Sequence, residues 1–146
     1  MDSSGGKVDI LLVEDNPADI RLMLEILKEG EIPSNFHVTT DGEEAMAYLR
    51  RESPYEGSTR PDIIFLDLNL PKKDGREVLK EIKGDPGLRR IPVVVMTTSE
   101  APEDVATVYD NSANCFITKP VDLDDFVNVV QVIKGFWLSI VKLPRD

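Results

Sequence analysis

Four short apolar runs set the limits on what this chain can fold into: Val8–Val13, Ile63–Leu66, Ile91–Met96 and Cys115–Ile117. Each is apolar at nearly every position and too short for a helix. That is the pattern of a strand buried on both faces, which is the habit of a parallel sheet. Each also stops abruptly at polar residues. The runs end at Glu14-Asp15-Asn16-Pro17, at Asp67, at Thr97-Thr98-Ser99 and at Thr118-Lys119-Pro120. A weaker run from Asn35 to Thr39, around Phe36 and Val38, reads as a further strand.

Helical patterns fill the gaps. Asn16 is a good N-cap and Pro17 a good first helical residue, and Ile20, Met23, Leu24 and Leu27 then fall on one stripe that ends near Gly30. Asp41-Gly42 turns into a short helix carrying Ala45, Met46 and Leu49, and Asp74-Gly75 into one carrying Val78, Leu79 and Ile82. Pro102 opens a helix with Val105, Val108 and Tyr109. Asp122 caps a last one from Leu123 to about Ile140. Residues 53–61 are a loop by composition. Strand and helix in five-fold alternation predict an α/β fold: a five-stranded parallel sheet, doubly wound in the flavodoxin-like manner, with right-handed crossovers. We read residues 1–7 as a flexible N-terminus, 8–141 as one domain and 142–146 as a C-terminal tail.

At 146 residues the chain is large enough for a core without staples. A net charge of -10 argues against a nucleic-acid surface, because phosphate binding needs clustered Lys and Arg, and Lys72-Lys73 and Arg89-Arg90 are short. The single cysteine, Cys115, excludes an internal disulfide and reads as a small buried hydrophobe. The single histidine, His37, has no second His for a metal pair and takes a surface or edge-strand role. Neither a membrane span nor a signal-peptide core is evident, so the expected location is cytoplasmic, with no membrane partner.

Topology then gathers the chemistry. In an open parallel sheet the ligand site lies beyond the carboxyl ends of the strands. Those ends supply Glu14, Asp15, Asp67, Thr97, Thr98 and Lys119. An acid such as Asp67 at the end of a buried strand is poorly explained by packing, since a buried charge is costly unless paired or metal-bound. Three carboxylates in one crevice repel, and one lysine cannot balance them. A hard divalent cation with oxygen ligands can, and Mg²⁺ suits a partly hydrated carboxylate site. A cation, an ammonium and hydroxyl donors also match the three charged oxygens of a phosphoryl group, with Asp67 as the nucleophile that forms an acyl phosphate.

Leu11-Leu12-Val13-Glu14-Asp15-Asn16, the run DLNLPKKDG from Asp67 to Gly75, Val95-Met96-Thr97-Thr98 and Thr118-Lys119-Pro120 together resemble the receiver domain of two-component response regulators, from about Val8 to Ile140. The resemblance implies the (βα)5 receiver fold and an Asp67 that accepts a phosphoryl group from a sensor histidine kinase. It implies that Asp15 holds Mg²⁺ directly, Glu14 partly through water, and the backbone carbonyl of Asn69 assists. Glu14 stands where the family more often has aspartate. Thr97 would bind the phosphoryl oxygens and move on phosphorylation, Lys119 would pair with the phosphoryl group or with Asp67, and Phe116 stands at the position of the switching aromatic. By the same resemblance the Lys119–Pro120 bond is expected to be cis, and the protein is a signalling phosphoacceptor rather than an enzyme. An aspartyl phosphatase of the haloacid dehalogenase type would need a second acid two residues after the nucleophile. Asn69 stands there and cannot transfer a proton. A flavodoxin-like electron carrier would need a phosphate-cradling loop after the first strand, where this chain has acids.

No output domain is expected after Ile140, so the signal would leave by protein contact or along a phosphorelay. On the last helix, Leu123, Phe126, Val127, Val130, Ile133 and Trp137 form a face that can cover the sheet. Val129, Val132, Phe136 and Ile140 extend the apolar surface beyond what one buried side needs. Such a surplus marks a partner surface, and a two-fold homodimer is the simplest candidate. The long loop before the third strand and the Phe136-Trp137-Leu138 and Leu143-Pro144 segments resemble the small response regulators paired with cyanobacterial phytochromes. That subgroup implies a phytochrome-like, light-sensing kinase and a dimer through the last helix.

Overall fold

The structure, a computed structural model, describes residues 7–29, 33–98 and 101–136. Five strands and five helices alternate along them. The strands are β1 (Val8–Val13), β2 (Ser34–Thr39), β3 (Ile63–Leu66), β4 (Val93–Thr97) and β5 (Cys115–Thr118). The helices are α1 (Pro17–Lys28), α2 (Gly42–Arg50), α3 (Gly75–Gly84), α4 (Pro102–Asp110) and α5 (Leu123–Gly135). All strand pairs are parallel and the sheet order is β2-β1-β3-β4-β5. The order reverses direction at β1, which places the crevice between the carboxyl ends of β1 and β3.

The two-residue period of a strand divides the sheet's apolar residues into two cores. Leu11, Val13, Ile64, Leu66, Val93 and Val95 face α2 and α3, where Ala45, Met46, Leu49, Val78, Leu79 and Ile82 meet them. The alternate positions, Ile10, Leu12, Ile63, Phe65, Val94 and Met96, face Met23, Ile26 and Leu27 of α1 and Phe126, Val130 and Ile133 of α5. Each such large side chain taken fully from water contributes about 1.5–3 kcal/mol.

Two helices are capped as the sequence reading has them, α1 by Asn16 and α5 by Asp122. Asn16 Oδ1 accepts the amides of Ala18 and Asp19, and Asp41, Asp74 and Asp122 cap α2, α3 and α5. Helix α4 differs. Its N-cap, Ala101, makes no side-chain cap bond, and Val108 is its one buried residue, with Tyr109 largely exposed. It is held instead by a fork in which Arg76 Nε and Nη2 donate to Asp104 at 2.6 and 2.7 Å. Two glycines fix how the loops around the crevice fit. A Cβ on Gly75 would lie 2.3 Å from the carbonyl oxygen of Asp67, and one on Gly42 1.9 Å from that of Lys73. Side chains at either place would push a helix away from the loop that follows β3.

Several expectations change here. Leu123 does not cover the sheet but is exposed, because it lies in the first turn of α5, beyond the strand ends. The expected continuation of the last helix through Trp137 to Ile140, the tail 142–146 and residues 1–6 lie outside the described residues. His37 is on the edge strand as expected, yet its ring stacks on Tyr48 at 4.2 Å and meets Tyr55 edge-on. This cluster, with Tyr55 Oη donating to Glu44 at 2.7 Å and Ser58 Oγ to the Tyr48 carbonyl, ties the 53–61 loop to α2. No helix of the described residues is long and apolar enough to cross a membrane.

Candidate functional site

Strand ladders carry the site residues to one level. The amide of Glu14 donates to the Thr39 carbonyl, that of Asp67 to Val13 and that of Lys119 to Thr97. Each of the three residues is therefore held by the strand beside it, one step past the last paired residue. Their side chains are buried polar groups, with Glu14 only 2 % exposed and Asp67 and Lys119 each 7 %.

Lys119 Nζ is the centre of the arrangement. It donates to Glu14 Oε1 at 2.5 Å, to Asp19 Oδ2 at 2.9 Å and to Asp67 Oδ2 at 3.1 Å. Backbone amides orient the acids: those of Asp15 and Asn16 donate to Glu14 Oε2, and that of Asn69 to Asp67 Oδ1. Asp15 sits exposed at the rim, and carboxylate oxygens of Glu14, Asp15 and Asp67 all lie within 4.8 Å of one another. Burial pushes the Glu14 carboxyl up to about 7, with the Asp67 charge adding to the rise and the Lys119 hydrogen bond opposing it. Burial alone would lower the Lys119 ammonium, but its bonds to Glu14 and Asp19 outweigh that and hold it above the usual lysine value. The cluster thus carries more negative charge than its one ammonium balances, and its donors are all oxygen. This is the setting a small divalent cation fits.

Thr97 is fully buried, and its Oγ1 accepts from Asn69 Nδ2 at 3.3 Å, while Thr98 Oγ1 accepts from the same nitrogen at 3.4 Å. Asn69 therefore links the loop after Asp67 to the end of β4. Phe116 pairs with Val95 in the β4–β5 register, so it lies on the same sheet face as Thr97, one rung below. It is half-buried against the core under α4, and its amide donates to Tyr109 Oη at 3.2 Å.

The structure thus brings together Glu14, Asp15, Asp67 and Lys119, and connects Thr97 to them through Asn69. Two points depart from the sequence reading. The Lys119–Pro120 bond is trans, the intrinsically favoured isomer, and the cis bond among the described residues is Ser53–Pro54. Asp19 was not foreseen as part of the site. It lies in the first turn of α1, three residues after the N-cap Asn16, where an acid reads as a helix-end residue, so the sequence carries no separate signal for its contact with Lys119. Of the apolar surface on α5, Val132 is 70 % and Phe136 49 % exposed. Val129 is half-buried beside them, and Ile140 lies outside the described residues.

An open parallel sheet with acids and one lysine at its carboxyl ends is the architecture of a phosphoryl-accepting signalling domain, and comparison with known proteins agrees. The family model for the response regulator receiver domain matches residues 10–131, and the chain belongs to that family. It is 52 % identical over 143 residues to the response regulator Rcp1 of Synechocystis sp., covering 98 % of this chain and 97 % of that protein. The crystal structure of the Mn²⁺-bound form of Rcp1 superposes with a TM-score of 0.93 at 52 % identity, covering 94 % of this chain and 99 % of that one. The phosphorylated cyanobacterial phytochrome response regulator RcpA also superposes with a TM-score of 0.93, at 53 % identity over 95 % of this chain and 99 % of that one. The protein is accordingly a receiver of two-component phosphorelay signalling and not an enzyme in the ordinary sense.

Proposed function

We propose that Asp67 is the phosphoacceptor of a cytoplasmic response regulator, charged by a sensor histidine kinase of the phytochrome-like kind and read out by protein contact. The observation that carries this is the Asp67 carboxylate at the end of β3, 3.1 Å from Lys119 Nζ and within 4.8 Å of the Glu14 and Asp15 oxygens. A carboxylate oxygen of Asp67 attacks phosphorus, and the new P–O bond forms as the P–N bond to the kinase histidine breaks and the imidazole leaves with its electron pair.

Glu14, Asp15, Asp67 and the Asn69 carbonyl are the groups to hold Mg²⁺, which when bound would neutralise the repulsion among these acids and the charge on the transferring group. Lys119 binds a phosphoryl oxygen in place of one of the carboxylates it now holds. Thr97 Oγ turns to another, breaking its bond with Asn69. The space it leaves lies on the face occupied by Phe116, which rotates inward and changes the surface of α4, β5 and α5. Asn69 offers no proton-transfer group two residues after the nucleophile, which favours a lasting acyl phosphate with only slow self-hydrolysis.

Two surfaces support the partners. A recess of about 300 Å³ lined by Ala18, Leu22, Pro120, Val121 and Leu123 adjoins Asp19 and would receive the kinase. An apolar groove of about 220 Å³ lined by Ile117, Val129, Val132 and Ile133 would receive α5 of a second copy, in a dimer. Incubation with Mg²⁺ and acetyl phosphate, followed by intact-mass analysis, tests the central step. One labile phosphoryl group is expected on the parent and none on Asp67→Asn. Equal labelling of the two would overturn the assignment.

A further inference from the structure

We propose that Asp19 is a positioning residue of the phosphorylation site, acting through Lys119 and resting on the reading of Asp67 and Lys119 above. A lysine ammonium has three N–H donors. Here the three partners are Glu14, Asp19 and Asp67, at 2.5, 2.9 and 3.1 Å. The ammonium is saturated. Any oxygen that arrives on Asp67 must displace one of the carboxylates already bound.

The three partners differ in what release costs. Glu14 is 2 % exposed and would be left as a buried, unpaired charge. Asp67 is the group being modified. Asp19 comes from the first turn of α1, and its side chain is 25 % exposed, so its oxygen returns to water. It is the contact that gives way. Asp19 therefore sets where the ammonium rests between phosphorylation events, and it links the state of Lys119 to α1.

Ordinary helix capping does not account for this carboxylate. An acid three residues after an N-cap commonly reaches back to the N-cap amide. In this chain the Asn16 amide is taken by Glu14 Oε2 at 3.2 Å, while the Asp19 carboxylate reaches 2.9 Å across to a lysine one hundred residues away in sequence. Only the Asp19 amide, donating to Asn16 Oδ1, takes part in the cap.

The competing account is that Asp19 merely favours the positive end of α1, which does not need Lys119. A double-mutant cycle separates the two. Urea unfolding of the metal-free full chain is compared for the parent, Asp19→Asn, Lys119→Met and the double variant. The unfolding equilibrium constant should rise through Asp19→Asn by at least about five-fold more when Lys119 is present than when it is Met. Equal effects in both backgrounds overturn the proposal. Because Lys119→Met strands two buried acids, a second readout uses single variants at position 19. The ¹⁵N–¹H signal of the Lys119 ammonium should exchange with water several-fold faster in Asp19→Asn and return toward the parent rate in Asp19→Glu; unchanged exchange in Asp19→Asn overturns the proposal. With acetyl phosphate and Mg²⁺, Asp19→Asn should label faster than the parent because the ammonium is freed, and an unchanged or slower rate also overturns it. If the parent itself takes no phosphate, the phosphoacceptor reading fails, while the metal-free cycle and the exchange rate still report whether Asp19 positions Lys119.

Discussion

Gly75→Ala is the substitution whose cost the structure sets most directly. The added Cβ would lie 2.3 Å from the Asp67 carbonyl oxygen, 2.6 Å from Leu68 Cα and 2.9 Å from the Leu68 carbonyl oxygen. Ordinary contact begins at 3.4 Å, so α3 and the end of β3 must separate by about 1 Å. All three obstructing atoms are backbone, and no rotamer change relieves them. Overpacking of a core usually costs about 1–3 kcal/mol, and a clash with backbone alone belongs at the top of that range. At about 3 kcal/mol, and with a urea m value near 2 kcal/mol/M, the unfolding midpoint should fall by about 1.5 M. Gly84→Ala is the matched control. It lies in the last turn of the same helix with nothing within 4 Å of its added Cβ, so it should be neutral or stabilise by up to about 1 kcal/mol. Because the obstructed carbonyl belongs to Asp67, Gly75→Ala should also slow labelling by acetyl phosphate. A Gly75→Ala protein within about 1 kcal/mol of the parent would refute the reasoning that close approach at this residue holds the site together.

Helix α4 depends on few contacts, so Asp104→Asn should destabilise by about 1–2 kcal/mol through loss of the Arg76 fork. It should also speed hydrogen exchange across 102–110, and exchange confined to its parent rate would count against the fork as the anchor. Tyr55 is pushed up to about 12 by its hydrogen bond to Glu44, with burial adding to the shift. Its folded pKa lies above its unfolded value of 10.0, so the stability it contributes is complete below that value and is lost as pH rises through about 12. Burial also raises Tyr48, so an absorbance titration of the tyrosines should show late ionisation of which only the Tyr55 part moves to lower pH in Glu44→Gln; no movement would remove Glu44 as the cause. Sedimentation should find the parent dimeric and Val132→Asp monomeric. A parent that is monomeric both with and without phosphorylation would remove α5 as a self-association surface.

What was legible in the sequence follows from how completely each element is buried. Val8–Val13 and Ile63–Leu66 carry apolar residues on both faces because helices cover both sides, and such runs admit little but a central parallel strand. The polar residue that ends each run was therefore placed correctly, and Glu14, Asp67 and Lys119 converge. Helix α4 is harder to read because it buries little: of Val105, Val108 and Tyr109, the apolar residues that mark it in the sequence, only Val108 is buried. Asp19 was hidden for a different reason. Its contact depends on the rotation of α1 about its axis relative to the end of β5, and single-chain periodicity gives spacing along a helix but not that angle. The trans Lys119–Pro120 bond shows the limit of resemblance, which carried over an isomer that this chain does not adopt.

Every role proposed for Glu14, Asp15, Asp19, Thr97 and Lys119 depends on Asp67 being the phosphorylated residue. Borohydride converts an aspartyl phosphate to homoserine, so reduction of the acetyl-phosphate-treated protein followed by peptide mass mapping reads the position directly. Homoserine should appear at position 67 and only in the presence of Mg²⁺. Homoserine at Asp15 or Asp19, with position 67 unchanged, would contradict the account.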